Sequence, residues 1–163
     1  MKYCYECGGK LQPDFLNERE GMVPHCSRCG RWQFEVFSVA VSMIVVSPDS
    51  ENILLIQQYG KKDYILVAGY INRGESAEEA AVRELREEIG LEITALRYNK
   101  SAFFAPSNTL MINYICHAAD TDLGKMDKSE VDTAVWMSRE QAIQAIKPDS
   151  LARRFLLYYL DLP

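Results

Sequence analysis

The residues best suited to chemistry in this chain are acidic side chains at helical spacing. Glu84, Glu87 and Glu88 are separated by three and four residues, which places their carboxylates on one face of a helix. Like charges at this spacing repel one another, and a bound cation would relieve the repulsion. Oxygen ligands suit Mg²⁺ or Mn²⁺ better than zinc. The alternative is an acidic helix face that is simply exposed to solvent.

Cysteines form a second group with regular spacing. Cys4 and Cys7 make one C-x2-C pair, Cys26 and Cys29 make another, and 18 residues separate the pairs. Two such pairs can turn four thiolates toward one tetrahedral ion, so we predict a single structural Zn²⁺ with a closed coordination shell. Unrelated thiols or a redox pair are the alternatives. The fifth cysteine, Cys116, lies in an apolar run and is predicted to be a buried core residue.

Helices and short strands are expected to position these groups. Ser76 and Glu79 form a capping box that begins a helix, and Gly90 ends it after Ile89. Ser138 with Gln141 predicts a second helix. We predict a third helix over 150–160 and strands over 39–46, 52–57, 64–68, 93–98, 110–116 and 134–137. The predicted fold class is therefore α+β, with a mixed sheet flanked by helices.

Composition places the chain among globular proteins, and its length allows one ordinary domain with a small appendage. Of its 163 residues, 48% are apolar and 25% are charged, which excludes a disordered or collagen-like chain. The formal net charge of −5 argues against a nucleic-acid partner. No apolar run is long enough to span a membrane and no signal peptide is visible, so we expect a cytoplasmic protein. Residues 1–33 are too few for a hydrophobic core and would need the metal, whereas residues 34–163 form the larger domain.

The helix with three carboxylates lies within a longer pattern that resembles the Nudix box. The signature of that family is G-x5-E-x7-R-E-U-x-E-E-x-G-U, in which U is a bulky aliphatic residue. Every specified position is matched here, by Gly69, Glu75, Arg83, Glu84, Leu85, Glu87, Glu88, Gly90 and Leu91. The resemblance implies an α/β/α Nudix fold over residues 34–163, behind a small N-terminal zinc ribbon.

The resemblance also implies an activity. Nudix hydrolases cleave a pyrophosphate linkage in a nucleoside diphosphate joined to another group, with two or more divalent cations. By this resemblance Glu84, Glu87 and Glu88 would hold Mg²⁺ or Mn²⁺, helped by a backbone carbonyl of Ala68 or Gly69. Glu84 would also orient or deprotonate the attacking water.

Further residues of the site follow from the same resemblance. Glu75 and Arg83 would form a supporting ion pair that holds the loop and the helix in register. Glu130 is the candidate for an additional metal ligand from a later loop, with Asp127 and Asp132 as weaker alternatives.

The zinc ribbon ahead of the box resembles bacterial NADH pyrophosphatases. On that resemblance the candidate substrate-binding residues are Phe34, Tyr70, Phe103, Phe104, Asn108 and Ala152. The Q-P-W-P-F core that this subfamily carries after the box is not present, since residues 102–106 read A-F-F-A-P. NADH or a related dinucleotide is the leading candidate substrate. ADP-ribose, a sugar nucleotide and a regulatory, nucleotide-sensing role are alternatives, and the apolar, aromatic segment 155–160 allows a homodimer as well as tertiary packing.

Overall fold

The structure, a computed structural model, describes residues 1–161 and divides the chain into two compact units. The first unit, Met1–Phe37, is built on an antiparallel hairpin of β1 (Leu11–Asn17) and β2 (Gly21–Cys26). The second unit begins at Ser38.

A six-stranded mixed sheet forms the centre of the second unit. The strand order is β6–β7–β3–β4–β8, and β5 pairs with part of β3. The pairing of β3 with β7 is parallel, and the other pairings are antiparallel. The strands are β3 (Ser38–Val46), β4 (Asn52–Gln58), β5 (Val67–Tyr70), β6 (Ile93–Phe104), β7 (Thr109–Ala118) and β8 (Val131–Ser138).

Three α-helices accompany this sheet in the described residues. Helix α1 (Ala77–Glu84) begins at the predicted capping box, since Ser76 and Glu79 bond to each other's backbone amides. Helix α2 (Arg139–Ala145) begins at the same kind of box, and α3 (Leu151–Leu160) is capped by the Ser150 side chain. None of these helices is long and apolar enough to cross a membrane.

Two apolar layers cover the two faces of the sheet. Successive side chains of a strand point to opposite faces: Val41 packs in the layer that includes α1, whereas Ile44 packs in the layer that includes α2 and α3. Phe155 and Leu156 of α3 are buried in that second layer. The predicted α/β/α arrangement, with a mixed sheet flanked by helices, is therefore confirmed.

The structure differs from the sequence prediction in three elements. Residues 64 and 65 form only isolated bridges, and the regular strand there starts at Val67. Strand β6 continues through Phe104, because its partner β7 offers a matching edge along that length. The first helix changes from α to π geometry at Leu85–Ile89 before it ends at Gly90.

Candidate active site

One cavity of about 520 Å³ collects the predicted carboxylates. It is lined by Glu84, Glu87 and Glu88 from the end of the first helix and by Glu130 from the loop before β8. Ala68 and Gly69 of β5 line the same cavity. A larger and more open groove runs along the outside of α1, but it lacks Glu84, Glu88 and Glu130, so the smaller cavity is the candidate active site.

The π-helical turn determines how the three glutamates are presented. Turns of this kind occur mostly as single insertions in α-helices and frequently at functional sites. Glu84 and Glu88 are turned inward and are only 9% and 5% exposed, whereas the Glu87 side chain is largely exposed. The backbone N–H of Gly90 reaches back five residues to the carbonyl of Leu85, which closes the widened turn.

Strand β5 approaches the helix so closely that any side chain at position 69 would displace the Glu84 carboxylate. A Cβ atom built on Gly69 would overlap the carboxyl group of Glu84. The β5 backbone is paired with β3, with Gly69 opposite Val41, so it has little room to withdraw. The glycine of the box therefore allows the β5 backbone to lie against the Glu84 carboxylate.

Arg83 ties the loop before the helix to the carboxylates. Its Nε lies 2.7 Å from Glu75 Oε1. Its Nη1 lies 2.7 Å from Glu84 Oε1 and 3.1 Å from Glu87 Oε2. Its Nη2 donates to the backbone carbonyl of Tyr70 at 3.0 Å. The hydrogen bonds from Arg83 and from the Asn72 amide lower the pKa of Glu75 below its usual value, so the pair remains charged. Loop and helix are held in register by this contact.

Glu88 lies in a less favourable environment for a charge. Burial raises its pKa to about 7, and the negative charges of Glu84 and Glu130 add to the effect. The amide of Gln58 offsets part of this by donating to Glu88 Oε2 at 3.2 Å. A divalent cation among these oxygens would supply the missing positive charge, so the donor set fits Mg²⁺ or Mn²⁺. Gln58 lies 30 residues from Glu88 in the sequence, and sequence reasoning did not find it.

The predicted substrate-binding residues are only partly brought together. Tyr70 and Phe104 line the carboxylate cavity. Ala152 lines a neighbouring apolar cavity of about 370 Å³, which shares Ala68, Phe104 and Met111 with the first. Phe103 and Asn108 do not line either cavity.

The other predicted positions lie apart from this cavity or in the first unit. Phe34 belongs to the first unit, where it lines a groove beside Met22. Asp127 accepts hydrogen bonds from Ser129, and Asp132 accepts one from the Gly60 amide. Neither aspartate lines the carboxylate cavity, whereas Glu130 does.

In the first unit the four predicted zinc ligands converge. The Sγ atoms of Cys4, Cys7, Cys26 and Cys29 all lie within 4.8 Å of one another. Gly8 and Gly30 follow the two knuckles with positive φ angles of 70° and 72°, and their amides bond back to the carbonyls of Cys4 and Cys26.

The surrounding backbone favours the thiolate at one of these cysteines, since a zinc ligand must be a thiolate and the amide of Cys29 lowers the pKa of the Cys26 thiol to about 6. The Arg31 amide acts in the same direction on Cys29, but burial and the neighbouring thiols outweigh it and raise the pKa of Cys29 to about 12. Four sulfur atoms at this separation fit one tetrahedral Zn²⁺.

The fold and the cavity together define a known class of protein. A family model described as NUDIX domain matches residues 36–159, so the chain belongs to the NUDIX domain family. A solved NUDIX hydrolase from Nitrosomonas europaea has a TM-score of 0.69 at 17% identity, covering 100% of this chain and 95% of that one. The NUDIX domain of Shewanella oneidensis NrtR, solved with ADP ribose, has a TM-score of 0.65 at 15% identity and covers 78% and 89%.

Curated relatives are similar along nearly the whole chain. "NAD-capped RNA hydrolase NudC" of Haemophilus influenzae is 30% identical over 169 residues, covering 99% of this chain and 61% of the relative. The protein of the same name from Pseudomonas aeruginosa is 27% identical over 159 residues, covering 98% and 55%. The chain therefore spans less than two thirds of the length of these relatives. The resemblance to the Nudix family is confirmed.

Proposed function

We propose that this protein is a metal-dependent pyrophosphatase that hydrolyses a nucleoside diphosphate linked to another group. The observation that carries the proposal is the convergence of Glu84, Glu87, Glu88 and Glu130 in one cavity beside Gly69. Four carboxylates gathered at a half-buried site make a strong cation site. A diphosphate is the substrate group that most needs such cations, because its own negative charge would otherwise oppose these carboxylates.

Mg²⁺ or Mn²⁺ held by these glutamates would polarise the phosphoryl oxygens and lower the pKa of a water nucleophile. Glu84 is the proposed acceptor for the proton of that water, since its carboxylate lies within the cavity. Arg83 and Glu75 are positioning residues, because they fix Glu84 and the β5 backbone relative to each other. Backbone carbonyls of Ala68 or Gly69 are further proposed ligands.

NADH or a related dinucleotide is the proposed substrate. Support comes from the apolar cavity beside the carboxylates, which can receive an uncharged ring, and from the NudC relatives that cover almost the entire chain. Tyr70, Phe104 and Ala152 are the proposed ring contacts that the structure places at these cavities. Phe34, Phe103 and Asn108 remain predictions from the resemblance.

A second candidate substrate is an RNA with an NAD cap, because the relatives are named NAD-capped RNA hydrolases. The net charge of −5 favours a free dinucleotide over an RNA chain. ADP-ribose and sugar nucleotides stay as alternatives within the same reaction class. A regulatory role is less well supported, because the box keeps all its carboxylates.

We further propose that the four cysteines hold one structural Zn²⁺ and that the protein acts in the cytoplasm. A reducing compartment keeps paired C-x2-C thiols available to a metal and prevents their oxidation to disulfides.

Product analysis tests the reaction directly. The zinc-loaded chain is incubated with Mg²⁺ or Mn²⁺ and, separately, with NADH, NAD⁺, ADP-ribose, a sugar nucleotide and an NAD-capped RNA oligonucleotide. AMP together with reduced nicotinamide mononucleotide is expected from NADH. Cleavage of a different compound would replace the proposed substrate, and no cleavage of any pyrophosphate by the folded protein would overturn the proposed reaction.

A further inference from the structure

A chain of three buried polar side chains crosses the sheet on the face that packs against α3. Asn99 on β6, Asn113 on β7 and Ser42 on β3 are 7%, 0% and 4% exposed. Asn99 Nδ2 donates to Asn113 Oδ1 at 2.8 Å, and Asn113 Nδ2 donates to Ser42 Oγ at 2.7 Å. Their neighbours on this face, such as Ile44 and Ile115, are apolar, so this polar chain is an exception within the layer.

Two backbone carbonyls fix the direction of these hydrogen bonds. Asn113 Nδ2 lies 3.1 Å from the carbonyl oxygen of Ser42, which can only accept. Asn99 Nδ2 lies 3.2 Å from the carbonyl oxygen of Phe155 in α3, which imposes the same orientation on the second amide. The orientation of both side-chain amides is therefore fixed. Each NH₂ group uses its two protons in hydrogen bonds to this row of side chains or to the adjoining backbone carbonyl.

The consequence falls on the Ser42 hydroxyl. Because Asn113 donates to Ser42 Oγ, the hydroxyl oxygen accepts and its own proton must point elsewhere. Among residues 1–161 the Ser42 hydroxyl takes part only as the acceptor of the Asn113 bond, and at the other end of the row Asn99 Oδ1 is buried without a partner. Buried donors are normally paired, and leaving one unpaired is unfavourable. The polar chain thus ends in a hydrogen-bond donor that the protein does not use.

Ser42 lies at the wall of the apolar cavity beside the proposed active site. That cavity is also lined by Leu66, Met111 and Phe155, and it meets the carboxylate cavity at Ala68 and Phe104. Alternation along β3 points Ser42 to the same face as Ile44, which is the face of α3. The unused donor is therefore placed where an uncharged group of a substrate would lie.

We propose that Ser42 is a specificity-determining residue that donates a hydrogen bond to a carbonyl oxygen on the uncharged ring moiety of the substrate. The proposal rests on the proposed function, because it concerns the group on the far side of the scissile diphosphate. The cavity is largely apolar, although Lys147, Asp149 and Ser150 also line it. An oriented donor in such a wall favours a planar ring that carries an acceptor, such as a carboxamide, over one that lacks it.

A comparison of two ligands binding to the zinc-loaded 163-residue chain tests this. NADH and its thionicotinamide analogue differ in one atom, since C=S replaces C=O and accepts hydrogen bonds weakly. Both dissociation constants are measured by titration calorimetry with Ca²⁺, another cation that prefers oxygen ligands, in place of Mg²⁺ and Mn²⁺, and chromatography checks that neither ligand is hydrolysed during the titration. Wild type is expected to bind NADH about tenfold more tightly than the analogue. In Ser42→Ala this ratio should fall to about one, and in Ser42→Thr it should be retained.

Two further variants separate recognition from structural support. Ser47→Ala removes another buried serine hydroxyl of the same unit, one bonded to Asp49 and absent from the cavity wall, and should keep the tenfold ratio. Ser42→Cys keeps the size of the side chain with a weaker donor and replaces Ser42→Ala if the latter fails to fold; its ratio should be intermediate.

The outcomes distinguish this proposal from the proposed function. A ratio near one in wild type, no binding of either ligand, or an unchanged ratio in Ser42→Ala or in Ser42→Cys would overturn the role of Ser42. The proposed reaction would be judged separately, by hydrolysis of the pyrophosphate panel and its dependence on Glu84. A loss of affinity for both ligands in equal proportion would show that Ser42 only supports the fold.

Discussion

The two units of this protein reach a folded state by different means. In the first unit the buried apolar residues are few, namely Cys4, Leu11, Val23 and Cys26, and two of these are proposed metal ligands. In the second unit two separate apolar layers pack on the two faces of one sheet. On the proposed metal sites, the first unit would depend on its zinc for stability, whereas the second unit would fold first and bind its cation afterwards.

The two proposed metal centres differ in the same way. Four sulfur ligands in the first unit would leave no coordination position for a substrate. The carboxylates of the second unit lie in an open cavity, where a diphosphate can share the cation. The comparison predicts that changes at the first centre alter stability, whereas changes at the second alter turnover.

Removal of zinc should have the largest effect and should be confined to the first unit. Structural zinc supplies about 10–16 kcal/mol in small zinc-binding peptides, more than so small a core can provide. Each unit carries one of the two tryptophans, Trp32 and Trp136. In the Trp136→Phe variant, tryptophan fluorescence comes from Trp32 alone and reports on the first unit. Adding a chelator to this variant, or introducing Cys26→Ser, should shift its fluorescence to that of an unfolded chain. In Trp32→Phe, the melting curve reported by Trp136 should remain cooperative.

Cys116→Ala is the matched control for this experiment. Cys116 is buried in the second unit, where burial raises its thiol pKa to about 12, and it lies outside the zinc cluster. The substitution should leave one zinc per chain and should lower the unfolding free energy of the second unit by about 1 kcal/mol. Unfolding of both units together on zinc removal would contradict the comparison.

Glu84→Gln should reduce kcat by about 10³-fold without unfolding either unit. The substitution removes the charge that a divalent cation needs, and the amide retains the size of the side chain. The control is Glu92→Gln, which only breaks an exposed ion pair with Arg86 and should keep activity within about twofold. Full activity in Glu84→Gln would refute the assignment of the carboxylate site.

Glu88 should make the stability of the second unit depend on pH when Mg²⁺ and Mn²⁺ are absent. Its pKa is raised from 4.5 to about 7 in the folded state, chiefly by burial. The folded protein therefore binds a proton that the unfolded chain releases, and this contribution is fully present below pH 4.5 and is lost as the pH rises through 7. The change is at most about 3 kcal/mol.

Urea unfolding of Trp32→Phe between pH 5 and pH 8 measures this dependence, and Glu88→Gln should flatten it. Glu51→Gln, at an exposed glutamate of the same unit, should leave the slope unchanged. If Glu88→Gln retains the slope of the parent protein, another group is responsible.

Arg83→Lys should have the smallest effect, a loss of about tenfold in kcat/KM. One ammonium group cannot replace a guanidinium that contacts Glu75, Glu84, Glu87 and the Tyr70 carbonyl together. Steady-state kinetics check this, with Arg86→Lys as the control, because Arg86 pairs only with Glu92 at the surface. Equal activity of the two variants would show that Arg83 does not position the site.

Much of the site was predictable because its signals are local in sequence. The capping box at Ser76 and Glu79 begins α1 as predicted, and the spacing of Glu84, Glu87 and Glu88 brings them into one cavity. The four cysteines converge for the same reason, since each knuckle is a short local turn.

The remaining features depend on contacts between distant strands. The contact of Gln58 with Glu88 and the chain from Asn99 to Ser42 require the register of β3, β4, β6 and β7, which no local pattern encodes. Which of two adjacent aromatics faces the cavity also follows from strand pairing, and this selects Phe104 and not Phe103.

The most direct test of the carboxylate site is a Mn²⁺ titration followed by electron paramagnetic resonance, with the zinc-loaded chain and no substrate. Wild type and Glu92→Gln should bind Mn²⁺ with the same affinity, and Glu84→Gln should bind it at least tenfold more weakly. The ribbon would be unaffected in all three, because zinc already fills its sulfur ligands. If Glu84→Gln bound Mn²⁺ as tightly as wild type, the cavity would not be the metal centre and the proposed hydrolase mechanism would fail.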